Sequence, residues 1–240
     1  MKNSKKVLCV IPARGGSKGL KYKNIRKVCG IPLVYYPISA AINSKVCDDI
    51  FVSTDSTLIA KIAKKYGADV PFLRKKNFSG DLVTTEATLK NALIEYEKYK
   101  KIKYDICVFL TCTKLFRKIR WIREAVNILK KNSNIDSAFS VHKLYTHLWH
   151  RTNKKKLKKV LPWMANYTSR QIAPSLYRED TSLVLATRSR FWRKGKRIGK
   201  RVHIIVNKDP FTGIDIHDER DLYLAEAAMK YMKLNKLMDH

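Results

Sequence analysis

From Val7 to Val141 the chain alternates short apolar runs with segments whose apolar residues recur every three or four positions. The runs "VLCVIPA", "DIFVSTD", "DVPFLR", "YDICVFL" and "DSAFSV" read as strands. An unbroken apolar run suits a strand buried on both faces, which needs no polar side. Between them lie helical patterns. A helix is expected from about Leu33. "STLIAKIAKKYGA" sets Leu58, Ile59, Ile62, Ala63 and Tyr66 on one face, with Gly67 as the stop. "TEATLKNALIEYEKYK" does the same through Leu89, Ala92, Leu93 and Tyr96, and "IRWIREAVNILKK" through Ile119, Ile122, Val126 and Leu129. This alternation predicts an α/β protein of three layers, a mostly parallel central sheet with helices on both faces.

After Val141 the periodicity stops. "HKLYTHLWHRTNKKKLKKVLPWMANYTSRQIAPS" mixes aromatics and charge without a repeat, and we expect a small inserted lobe at about 142–180 within a single domain spanning 1–240. "SLVLATRSRFW", "HIIVN" and "GIDI" are expected to be extended. "DERDLYLAEAAMKYMKLN" closes the chain as an amphipathic helix, with Asp218 as its N-cap.

Composition narrows the class. In 240 residues, a hydrophobic share of 45% supports a sizeable core and argues against disorder. The basic N-terminus is followed by too short an apolar run for a signal peptide, and no stretch approaches the ~20 residues of a membrane span. The five cysteines include no C-x-x-C pair, which argues against a zinc site and points to a reducing, cytoplasmic setting. Cys9 and Cys107 fall in strand-like runs and read as small core residues. The net charge of +30 favours anionic partners, but lysine is spread over nearly every segment. Nucleic acid is therefore expected only as a non-specific partner. The run "RSRFWRKGKRIGKR" reads as a solvated hairpin, or as a patch steering acidic substrates inward.

The chemistry concentrates in "IPARGGSKGLKYKN", where a strand ends in a loop holding three glycines and four cations. Glycine lets backbone N–H groups approach a ligand, and the cations make that ligand an anion, a polyphosphate first of all. The spacing fits neither G-x-x-x-x-G-K-[ST] nor G-x-G-x-x-G. Amides of Gly15, Gly16, Ser17, Lys18 and Gly19 can wrap a triphosphate while Arg14 and Lys23 neutralise it. Asp55, just after a strand, reads as a functional carboxylate or a turn cap.

This opening stretch resembles the N-terminal signature of the acylneuraminate cytidylyltransferases, I-P-A-R-G-G-S-K-G-x-x-x-K-N. The likeness continues in order along the chain: "VSTDS", "FLRKKNFSGDLVTT" for R-P-x-x-x-[AS]-x-D, "SRQIAPSLYRED" for R-Q-x-x-P-x-x-Y, and "GIDIHDERDLYLAE" for I-D-I-D-x-x-x-D-L-x-x-A-E. The resemblance implies transfer of CMP from CTP to the anomeric hydroxyl of a nine-carbon 2-keto sugar acid, with Mg2+ as cofactor and pyrophosphate leaving. It implies catalytic roles for Arg14, Lys23 and Asp215. Nucleotide contacts would come from the glycine loop, Lys23, Asn24, Arg74 and Thr85. It gives Thr111, Thr113, Arg170 and Gln171 to the sugar, with Arg170 on its carboxylate. It makes Asp215 and His217 the metal positions, and the lobe a homodimer contact in which Trp149, Trp163, Tyr167 and Tyr177 serve as interface or core.

Two departures stand out. The family's second aspartate is His217, and imidazole suits magnesium poorly, so His217 acts through water, Asp218 replaces it, or metal binding is weakened. The family's L-x-P-T-S-P-L-R loop reads "LTCTKLFR": Thr113 and Arg117 remain, while Cys112, Lys114 and Leu115 are new. The rival readings are another sugar nucleotidyltransferase, and a non-catalytic relative binding RNA through its charge.

Overall fold

In the computed structural model, residues 5–144, 146–153, 155–165 and 172–235 are described. The strands are β1 (Val7–Pro12), β2 (Lys27–Val28), β3 (Ile31–Pro32), β4 (Asp49–Ser53), β5 (Ile106–Phe109), β6 (Ser137–Leu144), β7 (Trp149–Arg151), β8 (Leu157–Lys159), β9 (Leu176–Glu179), β10 (Leu185–Arg188) and β11 (Val202–Asn207). The helices are α1 (Tyr35–Ser44), α2 (Thr57–Lys65), α3 (Thr85–Lys100), α4 (Ile119–Lys131), α5 (Ser189–Arg193) and α6 (Glu219–Leu234).

The central sheet runs β11-β6-β10-β5-β1-β4, with β9 pairing antiparallel to the end of β6. β1 is parallel to β4 and β5, and β6 to β11, while β10 runs antiparallel to both of its neighbours. The mostly parallel sheet is therefore as expected. In β1, Val7, Cys9 and Ile11 face the cluster packed by α1, α2, α4 and α6, while Leu8 and Val10 face the cluster under α3 and α5. Burial on both faces is why the run is apolar without interruption.

The caps explain the helix boundaries. The Ser56 side chain accepts from the Ile59 N–H, and Thr84 from that of Ala87. Asp218 caps α6 in a capping box with Asp221, as the sequence leads one to expect. Gly67 ends α2 with φ +89°, a conformation that side chains with a Cβ disfavour.

Four expectations need correction. "DVPFLR" forms no strand: Asp69 makes one isolated bridge to Phe51 and the chain then turns away. "GIDI" is not extended throughout: Gly213 ends a 3-10 turn over Pro210–Gly213, and the residues after it pair with no strand. Leu58 lies 48% exposed, because the buried stripe of α2 runs through Ile59, Ala60 and Ala63. The basic run is no hairpin. Its start is helix α5, with Trp192 in the core. Arg188 donates to the carbonyls of Leu129, Asn132 and Ile135, Arg193 pairs with Glu97, and Arg197 pairs with Glu86 and Glu179. These cations tie elements together.

Within the expected lobe, β7 and β8 form a small separate sheet. Trp149 and Tyr177 are exposed there, Lys159 sits over the Trp149 ring, and Tyr167 lies outside the described residues. Among the described residues no helix is long and apolar enough to cross a membrane.

Candidate active site

In the sheet, β1 sits between β4 and β5, so the chain leaves β1 toward one side and later returns to the other. Open α/β sheets bind ligands at the carboxyl ends of the strands where such a reversal opens a crevice. The glycine loop follows β1 at that point. Beside it open the segment after β4 with Asp55 and the one after β5 with Thr111 and Thr113. A cleft of about 390 Å³ lies between them, lined among others by Arg14, Lys23, Asn24, Arg74, Thr85, Thr111 and Thr113.

On one wall the loop cations already hold an anion. Arg14 Nη1 lies 2.8 Å from Asp81 Oδ1, and Lys18 Nζ 2.7 Å from Asp81 Oδ2. Lys18 and then Arg14 hold the Asp81 carboxyl below its usual range. The Gly15 N–H donates to Asp55 Oδ1 at 2.8 Å, so Asp55 fixes the loop rather than facing a ligand. Gly16 has open space around its Cα. Buried Asn24 donates from Nδ2 to the Arg14 carbonyl at 2.9 Å, which sets the loop's exit. Lys23 donates to the Ile216 carbonyl; burial lowers its pKa, against the opposing pull of Asp215.

The other wall is built from buried polar groups. Arg74 is 7% exposed, bonds Ser79 Oγ through Nε, and has its pKa lowered by burial. Thr111 Oγ1 and Thr113 Oγ1 lie 3.3 Å apart. Arg117 sits behind them, donating to the carbonyls of Thr111, Ser182 and Leu183, with Nη1 buried and unpartnered. Burial pushes its pKa down to about 10. Cys112 is buried and its thiol is pushed up to about 12, which keeps it protonated and unreactive.

The segment before α6 meets two of the loops that flank the cleft. Ile216 N donates to the Thr113 carbonyl, and a Cβ on Gly19 would lie 2.8 Å from the His217 carbonyl oxygen. Asp215 thus reaches the glycine loop from the far end of the chain. Its Oδ1 is buried without a hydrogen-bond partner, while Oδ2 faces Lys114 Nζ at 3.4 Å and His217 Nε2 at 3.7 Å. Asp218 is engaged as the cap of α6 and pairs with Arg220, so it is not free to replace His217. Among the described residues no group of three or more His, Cys, Asp or Glu could hold a metal. A cation at Asp215 would need other oxygens. Arg170 and Gln171 lie outside the described residues.

The structure therefore brings together the described candidates from five separate segments. Asp81 fills the closing aspartate of the R-P-x-x-x-[AS]-x-D pattern, but the pattern does not predict its pairing with the loop cations, nor the burial of Lys114. A lysine after a strand reads as solvated.

A family model described as cytidylyltransferase matches residues 8–236. The chain belongs to the cytidylyltransferase family. It is accordingly a nucleotidyltransferase. Proteins similar to it over nearly their whole length include the post-translational flagellin modification protein B of Campylobacter coli, 32% identical over 95% of this chain and 97% of that one. Another is the CMP-N,N'-diacetyllegionaminic acid synthase of Campylobacter jejuni, 31% identical over 95% and 97%. The solved structure of CMP:2-keto-3-deoxy-manno-octonic acid synthetase complexed with CTP has the same fold. It aligns with a TM-score of 0.68 over 94% of this chain and 99% of that one, at 14% identity.

Proposed function

We propose that this protein transfers CMP from CTP to the anomeric hydroxyl of a nonulosonic, sialic-acid-like sugar acid, giving the CMP-sugar and pyrophosphate. The observation that carries this reading is the pair Arg14 and Lys18, which grips both oxygens of one carboxylate beside a cleft lined by Lys23, whose charge Asp215 feels. An anion site of that shape, opened by withdrawal of Asp81, suits the β- and γ-phosphates. The full-length likeness to a CMP-legionaminic acid synthase supports the acceptor class.

In this reading the sugar oxygen attacks the α-phosphorus, the hydroxyl loses its proton, and the bond to the bridging oxygen of the β-phosphate breaks. The protein forms no covalent intermediate. It holds the phosphates in line and neutralises the charge that gathers on the leaving pyrophosphate, the work of Arg14, Lys18 and Lys23. Asn24, Arg74 and Thr85 face the cytidine side. Thr111 and Thr113 face the sugar, with Arg170 and Gln171 joining them on the resemblance alone. The unpartnered Oδ1 of Asp215 suits Mg2+, which binds through one or two carboxylates and fills its shell with phosphate oxygens and water. When bound, the ion would neutralise phosphate charge. His217 is 71% exposed beside it and reaches a metal best through water.

We also assign the protein to the cytoplasm and to a homodimer joined through the lobe, where Trp149, Leu157 and Tyr177 offer exposed apolar surface. Sedimentation at tens of micromolar tests the dimer, and a monomer there rejects it. The function itself is tested by pyrophosphate release from CTP with sialic, legionaminic and pseudaminic acids, a 2-keto-3-deoxy octonic acid and a polyol phosphate. Turnover confined to the last two, or absent with all five, rejects the reading.

A further inference from the structure

Lys114 stands where the family pattern has serine, and its side chain is 5% exposed. An ammonium has three hydrogens to donate, and here three acceptors meet it: the Thr212 carbonyl at 3.2 Å, Asp180 Oδ2 at 3.5 Å and Asp215 Oδ2 at 3.4 Å. Asp180 is itself held in place, with a partner on each oxygen. Ser182 Oγ donates to its Oδ1, and His142 Nε2 lies 2.9 Å from its Oδ2. The ammonium is therefore anchored from below and cannot swing away from Asp215 without leaving Asp180 buried and short of a partner. Lys23, which lines the cleft, adds a second positive charge near Asp215. The remaining oxygen, Asp215 Oδ1, is the one without a partner.

We propose that Lys114 is a positioning residue that makes metal entry depend on nucleotide: it neutralises Asp215 from behind, so a divalent cation binds only together with the phosphates of CTP. The inference rests on Asp215 as the metal position in the function proposed above. A serine here would leave Asp215 with a full negative charge and both oxygens available. Lysine engages Oδ2, leaves Oδ1 without a partner and removes most of the field that would attract a free cation. The negative charge that completes the site then has to arrive with the triphosphate, so the cation and the nucleotide enter as one species.

The test uses Mn2+ as the probe and measures binding by electron paramagnetic resonance, with the full chain, with and without CTP and no sugar. The native protein is expected to bind Mn2+ appreciably only with CTP present. Lys114→Ser and Lys114→Gln should each raise nucleotide-free Mn2+ affinity by at least about tenfold, since a unit charge a few ångströms away is removed from a partly buried site. The glutamine variant keeps a donor for the Thr212 carbonyl, so it guards against misfolding of the serine variant. Thermal melting verifies both. A purely structural lysine would leave Mn2+ affinity unchanged or lower it. Either result in a folded variant overturns the inference, as does tight nucleotide-free binding by the native protein. Adding Asp215→Asn to Lys114→Gln must erase the gained site. If the site survives, the metal placement itself has failed, while CTP turnover by the native protein would leave the proposed activity standing.

Discussion

Replacing Arg14 by alanine tests the anion site at its centre. The side chain is 34% exposed, and its ion pair with Asp81 faces the cleft. The backbone carbonyl of Arg14, which accepts from Asn24, survives the substitution. The fold should therefore be nearly untouched, with a melting temperature within ~2 °C of native, as expected for well under 1 kcal/mol in a chain of this size. The cost in function is larger. A hydrogen bond to a charged partner is worth ~1.5–3 kcal/mol, so losing one between the guanidinium and a phosphate should lower kcat/KM by about 10- to 150-fold. Lys18 and Lys23 remain, which keeps the loss below that of an emptied site. Arg14→Lys should recover part of it, because the charge returns but the planar two-donor geometry does not. Pyrophosphate release at varied CTP gives kcat/KM directly. Native kcat/KM in a folded Arg14→Ala protein would falsify the placement of phosphates at this loop.

Asp215→Ala should abolish magnesium-dependent turnover while CTP still binds in a fluorescence or calorimetric titration; loss of both would mean that the cleft has collapsed. His217→Asp adds a hard oxygen ligand and should lower the magnesium concentration needed for half-maximal rate, and an unchanged requirement removes position 217 from the metal's surroundings. Gly19→Ala pushes a methyl group into the His217 carbonyl, so turnover should fall by at least about tenfold with only a small change in melting temperature; native rates would show that the two segments need not touch. Glu97 bears on stability. Burial alone would raise its pKa, but Arg193, the Tyr104 N–H and Lys103 together hold it below the ordinary 4.5. Its folded value is the lower one, so its contribution is complete above about pH 4.5 and lost as pH falls through the folded value. Melting temperatures from pH 6 down to pH 3 should drop less steeply for Glu97→Gln than for the native protein, and parallel curves would refute this.

What the sequence shows and what it hides divide along the range of the interactions. Strands β1, β5 and β6 are legible because burial on both faces forces unbroken apolar runs. Helices α3 and α4 show because one stripe faces the sheet, and the glycine loop shows because its density of glycine and charge is local. Arg188, Arg193 and Arg197 read as a solvated run, yet each has a partner 53 to 111 residues away: Ile135, Glu97 and Glu86. No local pattern encodes such pairs. "GIDI" looks like a strand for a related reason: its residues are apolar and polar in alternation, but its backbone makes single bonds to Phe211, Thr113 and Lys23 rather than a ladder. Asp215 is legible through the motif likeness, whereas nothing local marks Lys114, whose partners Asp180 and Asp215 come from distant segments.

The contact of Gly19, Lys23 and Thr113 with residues 216 and 217 has a bearing on how this chain can be recombined with its relatives. The end of the chain supplies main-chain atoms that must fit a loop made at its beginning and another made at its middle. A hybrid joined after β10 would present a borrowed turn to a resident loop, with a carbonyl oxygen placed for a glycine at position 19. Segments 14–24 and 210–218 therefore form one heritable unit despite the distance between them in the gene. Crossovers that exchange both should yield working hybrids more often than crossovers that exchange either alone.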